Sequence, residues 1–185
     1  MDAFEQVVSE ILWHLGYWVR TSVKVELTKE EKRSIGRPSS PRWEIDVVAY
    51  SARENILRLV ECKSYLDSPG VKATCFDGSD PSGASRYKLF NEASLRDAVF
   101  RRVAAQLYES GACAADPKVI LCLACGKIAS DVHRTQFHDH FKKNSWELWD
   151  EKWLQNQLSA LSKGGYENQV SSVVAKLLLR GTLPE

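Results

Sequence analysis

An α/β sandwich, a central mixed β-sheet flanked by helices, is the fold class that the sequence predicts, and three features predict it. Residues 44–50 and 56–63 are short runs of β-branched and aliphatic residues joined by the polar turn 51–55, which suits a hairpin. Residues 118–125 are almost continuously apolar, as in a strand covered on both faces. Helical patterns stand before and between the later strands, so those strands are joined by helices rather than by turns.

Taken in order, residues 3–15 place Phe4, Val7, Val8, Ile11, Leu12 and Leu15 on one helical face, behind Asp2 as a cap and ahead of Gly16. Glu5 stands on the flank of that stripe. Residues 17–27 alternate and form the first strand. Residues 28–42, with Lys29, Lys32, Arg33, Arg37, Arg42 and two prolines, form an exposed, mobile loop. After the strand pair, residues 64–91 contain Pro69, Gly70, Gly78, Pro81 and Gly83 and little periodicity. This is a long insertion leaving the core directly after Lys63, and loops beyond about 15 residues in a compact domain are more often functional or disordered than incidental.

Residues 93–110 recover a helix through Leu95, Ala98, Val99, Val103, Ala104 and Leu107, with Arg96, Arg101 and Arg102 off the apolar stripe. A further helix at 130–141, a short strand at 146–149 and a helix at 151–161 capped by Asp150 follow. Gly164-Gly165 then breaks the chain before an extra C-terminal helix at about 167–179, whose Val170, Val173, Val174, Leu177 and Leu178 suit either core or an interface.

The 185 residues fit one domain, 1–185, and 44% hydrophobic with 26% charged residues is ordinary for a soluble globular chain. Twenty-five basic against 24 acidic residues leave +1, so no overall field demands a polyanionic partner and any nucleic-acid surface must be local. No apolar run approaches the roughly 20 residues that span a bilayer, and the first residues lack the basic start of a signal peptide. A cytoplasmic protein without a membrane partner is expected. Cys62, Cys75, Cys113, Cys122 and Cys125, an odd number in apolar contexts, suit reduced thiols better than disulfides.

The chemistry concentrates in the strand pair. In a strand alternate side chains share a face, so Glu44 and Asp46 go together, as do Glu61 and Lys63 on the partner. Burying charge among aliphatic side chains is costly unless the charges are paired or bind a metal. Asp46 and Glu61 suit a hard divalent cation, Mg²⁺ or Mn²⁺, with the backbone carbonyl of Cys62 as a further ligand and Lys63 to orient a water or offset developing charge. Glu44 is a supporting residue at the rim, since Asp46 sits deeper in the apolar strand.

Glu44-Ile45-Asp46, with Glu61-Cys62-Lys63 beginning fifteen positions after Asp46, resembles the bipartite motif of the PD-(D/E)XK nuclease superfamily, the restriction-endonuclease-like fold. The closest flavours are Mrr-type restriction enzymes and Holliday-junction resolvases. Phe4-Glu5, Leu15-Gly16-Tyr17 and Trp146-Glu147-Leu148-Trp149-Asp150 are similar to segments flanking the motif in those families, and the resemblance covers residues 4–161. Ile45 stands where the family has proline.

The resemblance implies a restriction-endonuclease-like sandwich, a Mg²⁺-dependent endodeoxyribonuclease with Asp46, Glu61 and Lys63 as catalytic residues, Glu5 as an extra metal-site residue, Gln106 as a supporting residue, DNA as partner, and a homodimer as a common assembly. Arg37, Arg42, Arg86, Lys88, Arg101 and Arg102 are the candidate DNA contacts, because a local patch suffices for non-specific affinity. A non-catalytic DNA-binding or protein-interaction module on the same fold is the alternative. Cys122 and Cys125, with His133, His138 and His140, have zinc-like spacing, but residues three apart in a strand face opposite sides of the sheet.

Overall fold

The computed structural model describes residues 2–39, 42–165 and 168–179. The chain opens with α1 (Ala3–His14), whose N-cap Asp2 accepts the Glu5 N–H at 2.8 Å while the Glu5 carboxylate accepts the Asp2 N–H at 3.2 Å. This reciprocal cap satisfies two amides that have no partner within the helix. The strands β1 (Trp18–Val25), β2 (Trp43–Ser51) and β3 (Ile56–Lys63) form an antiparallel meander. Then β4 (Lys118–Cys125) and β5 (Glu147–Trp149) add in parallel, giving a five-stranded mixed sheet of order β1-β2-β3-β4-β5. The predicted span of β4 coincides with the observed one.

Two cores cover the two faces of the sheet, which makes a three-layer sandwich. On one face Leu57, Leu59, Leu121 and Leu123 pack against Leu95, Val99 and Val103 of α5 (Ala93–Glu109) and against Phe137 and Phe141 of α6 (Asp131–Asn144). On the other, Val47, Val60, Ile120 and Cys122 meet Val8, Ile11 and Leu12 of α1, and Leu154 and Leu161 of α7 (Glu151–Lys163). β4 alternates between the two cores, which is why its sequence is apolar throughout.

Two expected loops carry structure. Residues 28–42 contain α2 (Lys29–Ser34), with Thr28 and Glu31 forming a capping box of the same kind as the first helix. Residues 64–91 do not leave the core. They hold a 3₁₀ turn (Ala73–Cys75) and the short helices α3 (Pro81–Ala84) and α4 (Lys88–Asn91), and Val71, Ala73, Phe76, Tyr87, Leu89 and Phe90 are buried in the first core. Phe76 packs within 5.7 Å, centroid to centroid, of Tyr87, Phe90, Phe137 and Phe141. The segment lacks periodicity because its apolar residues sit on pieces too short to show one.

The last helix, α8 (Val170–Leu179), begins later than expected, and Glu167 lies outside the described residues. It seats its small residues Ser171, Ser172 and Ala175, while Val173, Val174, Leu177 and Leu178 stay exposed. Among the described residues no helix is long and apolar enough to cross a membrane.

Candidate active site

β2 and β3 pair from Ser51↔Ile56 to Val47↔Val60, and there the ladder stops. On the other side of β2 the register runs to Thr21↔Val47 and resumes at Val23↔Ile45, passing over Ser22, whose φ is +52°, and Asp46. Ile45 and Val47 should share a face in a regular strand, yet they enter opposite cores. The backbone therefore turns at Asp46, and this residue is released from both ladders. Its carboxylate Oδ2 accepts the Cys62 N–H at 2.7 Å, across the gap where the next pair of rungs would have formed.

Glu61 and Lys63 flank Cys62 and share the face of Leu57 and Leu59, while the Cys62 side chain enters the second core. Lys63 Nζ donates to Glu61 Oε1 at 2.6 Å, with both side chains mostly covered. The Lys63 carbonyl is taken by Gly126 N–H at 3.0 Å on the β4 side, so alternation along the strand turns the N–H and C=O of Cys62 toward the open β2 side. Gly126 is required there: a Cβ would lie 2.3 Å from the Ser64 carbonyl oxygen.

The electrostatics follow from burial. Burial is the largest influence raising the Asp46 carboxyl; the nearby Glu61 charge adds to it, and the Cys62 N–H and Lys63 oppose it. Burial also raises Glu5, and the charge of Asp46 contributes in the same direction, which brings Glu5 into the field of the site while it serves as a cap. Lys63 is pulled down by burial but held net above its usual value by Glu61 and Asp46. The Cys62 thiol is pushed up by burial, then by Asp46, Glu5, Glu61 and Asp2 in turn, so four carboxylates bear on one point.

Among the described residues no three His, Cys, Asp or Glu side chains gather closely enough to form a ready-made metal cage. A hard cation such as Mg²⁺ does not need one, because it keeps several waters and takes one or two carboxylates. Asp46 Oδ1 and Glu61 Oε2 carry no hydrogen bond among the described residues, and their partner oxygens are occupied by Cys62 and Lys63. These two anionic oxygens and the backbone carbonyl on the open side are groups of the chemistry such an ion takes.

The other predicted residues are scattered. Glu44 is exposed and paired in register with Lys24. Gln106 accepts the Glu26 N–H at 2.8 Å and donates to the Lys24 carbonyl at 3.2 Å, so it fixes the end of β1. Arg37, Arg42 and Arg102 are ion-paired within the chain to Glu92, Glu26 and Glu31 at 2.6, 3.3 and 2.9 Å. Arg101 lines a depression with Pro117 and Val119, at the end of β4 opposite Cys125. Arg86 lies beside Tyr65, in the segment that follows Lys63, and Lys88 is half-buried at the start of α4. Three of the six cations are thus engaged by carboxylates of the chain.

Cys122 and Cys125 enter opposite cores, and His133 Nδ1 accepts the Ala73 N–H at 3.3 Å, so this set is not drawn together as a zinc site. Sequence reasoning passed over Arg58, whose Nε donates to Glu147 at 2.9 Å beneath the Tyr17 ring on the second face. The available signal was a lone arginine among aliphatic strand residues. Comparison of the chain with protein-family models, curated proteins and solved structures returned no match.

Proposed function

We propose that the chain is a divalent-metal-dependent endodeoxyribonuclease of the PD-(D/E)XK type, restriction-endonuclease-like or resolvase-like. The observation that carries this reading is the release of Asp46 from both strand ladders beside Glu61 and Lys63. Asp46, Glu61 and the Cys62 carbonyl are the groups that would hold Mg²⁺ or Mn²⁺, with Glu5 adding charge behind them. When bound, the cation polarises the scissile phosphate and lowers the pKa of a water.

The residues of the chain do the rest. Asp46, anchored through Oδ2 to the Cys62 amide, presents Oδ1 in a fixed direction. Lys63, a charged group with three donors and no acceptor, offsets negative charge developing on the phosphate and is no candidate for a base while it stays protonated. Glu61 holds Lys63 in place until substrate competes for it. DNA as the substrate rests on the resemblance of the motif, as does the homodimer; a cytoplasmic setting is one in which the five free cysteines would remain reduced.

Plasmid cutting in Mg²⁺ and in Mn²⁺ tests the reading: the parent protein is expected to cut, and Asp46→Ala and Lys63→Ala are expected not to. Unchanged cutting by both variants rejects it. Calorimetry that finds no Mg²⁺ or Mn²⁺ binding to the parent protein would favour a non-catalytic DNA-binding or protein-interaction module on this fold. Sedimentation of the parent protein tests the homodimer.

A further inference from the structure

The chain that follows Lys63 encloses a pocket of about 250 Å³ on the face of the sheet that carries Glu61 and Lys63. Tyr65 and Tyr87 form its inner wall, Lys72 and Arg86 its charged rim, and Ser68 and Ser82 stand between them. Tyr65, two residues past Lys63, has φ +43°, a conformation that side chains other than glycine adopt at a cost. It lines the pocket together with Arg86 and Tyr87.

The walls are tightly built. At Gly70, φ +96°, a Cβ would lie 2.9 Å from Ala129 N; at Gly83 it would lie 2.5 Å from Cys75 Sγ. Val71 bridges to Ile128, and Lys127 Nζ donates to the Ser68 carbonyl at 2.8 Å. Asp80 is the only carboxylate among the lining residues, and it is turned into the wall: Oδ1 accepts the Gly83 N–H at 2.9 Å and Oδ2 faces Cys75 Sγ at 3.8 Å. Its charge also acts on Lys72, so two cations, Lys72 and Arg86, stand against one carboxylate and the lining is net positive.

Sites that enclose a whole small molecule usually measure roughly 300–1,000 Å³. This pocket is smaller and open on one side. A compact anion fits that size and the cations at its rim.

We propose that this pocket seats one backbone phosphate of the polynucleotide, next to the phosphate presented to Asp46, Glu61 and Lys63, with Arg86 and Lys72 as its binding residues. The inference rests on the nuclease reading of that site, since it takes its polymer from there.

The test uses the whole 185-residue chain carrying Asp46→Asn, in EDTA, so that DNA stays intact. Fluorescence anisotropy follows a short fluorescein-labelled duplex, unmodified or with a single methylphosphonate placed in turn at each linkage. Adding Arg86→Ala is expected to weaken binding of the unmodified duplex about 5- to 20-fold at low salt and to reduce the salt slope by about 1. At one linkage the methylphosphonate should weaken the Arg86 protein but not the Arg86→Ala protein, and Arg86→Lys should recover part of the loss.

Parent-like affinity and salt slope in Arg86→Ala and Lys72→Ala overturn the inference, as does equal sensitivity to methylphosphonate at every linkage. Cutting is followed separately with Asp46 restored. If that protein cuts DNA and the Arg86 effects are missing, the pocket inference alone falls. If it does not cut while the position-specific Arg86 effect is present, the pocket stands and the nuclease reading falls.

Discussion

Asp46 Oδ2 and the Cys62 backbone N–H lie 2.7 Å apart where β2 and β3 part, so a side chain replaces a rung of the sheet. The bond keeps two strands in register at the point where their ladder ends, and it aims the other carboxylate oxygen.

Asp46→Asn keeps an acceptor for Cys62 and removes a charge that burial disfavours. It is expected to be at least as stable as the parent protein at pH 7, whereas Asp46→Ala should lose about 1–3 kcal/mol by leaving the amide without its partner. Because folding raises the Asp46 carboxyl, its ionisation costs the folded state stability as pH rises through about 4 and above. The advantage of Asp46→Asn should therefore grow over that rise. Thermal denaturation across pH reads both effects, and equal losses in the two variants would contradict them.

Lys63 and a cation compete for Glu61. Lys63→Ala is expected to abolish cutting yet to bind Mn²⁺ as tightly as the parent protein or more so, because a positive charge has left the site. Glu61→Ala should lose both cutting and Mn²⁺ binding. Calorimetry separates the two, and loss of Mn²⁺ binding in Lys63→Ala would make the lysine part of the cation site.

Glu10 Oε2 accepts the Ser171 N–H at 2.8 Å and ties α8 to α1. Burial raises the Glu10 carboxyl, but hydrogen bonds from Ser171 and Gln6 outweigh it and hold the group below its usual value. Its contribution is thus complete above about pH 4.3 and is lost as pH falls through the lower folded value. Glu10→Gln is expected to cost about 1–2 kcal/mol locally at pH 7, so amide exchange in α8 should quicken by about 5- to 30-fold. The two proteins should converge in acid; α8 amides that exchange alike in both at pH 7 would show that the tie is idle.

Arg134 joins α6 to the start of α7 through Asp150 and Glu151, and Asp150 also caps α7 by accepting the Trp153 N–H at 2.9 Å. The Arg134 and Asp150 side chains are only 13% and 9% exposed. Arg134→Ala leaves a covered carboxylate unpaired and is expected to destabilise the domain by about 3–5 kcal/mol in denaturant unfolding. A loss under about 1 kcal/mol would place this pair among exposed ones.

How much of this was legible depends on the length of each pattern. β4 and α5 carry eight and seventeen residues of steady periodicity, and both were readable. Asp46, Glu61 and Lys63 were readable because charge is conspicuous among aliphatic residues. The capping box of Thr28 and Glu31 was visible but was masked by the prolines and charges around it. Phe76, Tyr87 and Phe90 gave no sign of entering the core, since they lie on a 3₁₀ cap and on helices of about one turn. The ion pairing of Arg37, Arg42 and Arg102 was hidden for another reason: their carboxylate partners stand at positions 92, 26 and 31, and only the tertiary fold brings those pairs together.

Residues 64–91 bury Phe76, Tyr87 and Phe90 on one side and line the pocket beyond Lys63 on the other. The segment is consequently not a separable module. Replacing the segment as a unit would remove part of the first core with it, and a chimera would have to repack against Phe137 and Phe141 before it could fold. Substitutions that alter the pocket and leave the fold intact should fall on its exposed lining residues, Lys72 and Arg86 first, while the aromatic backing stays fixed.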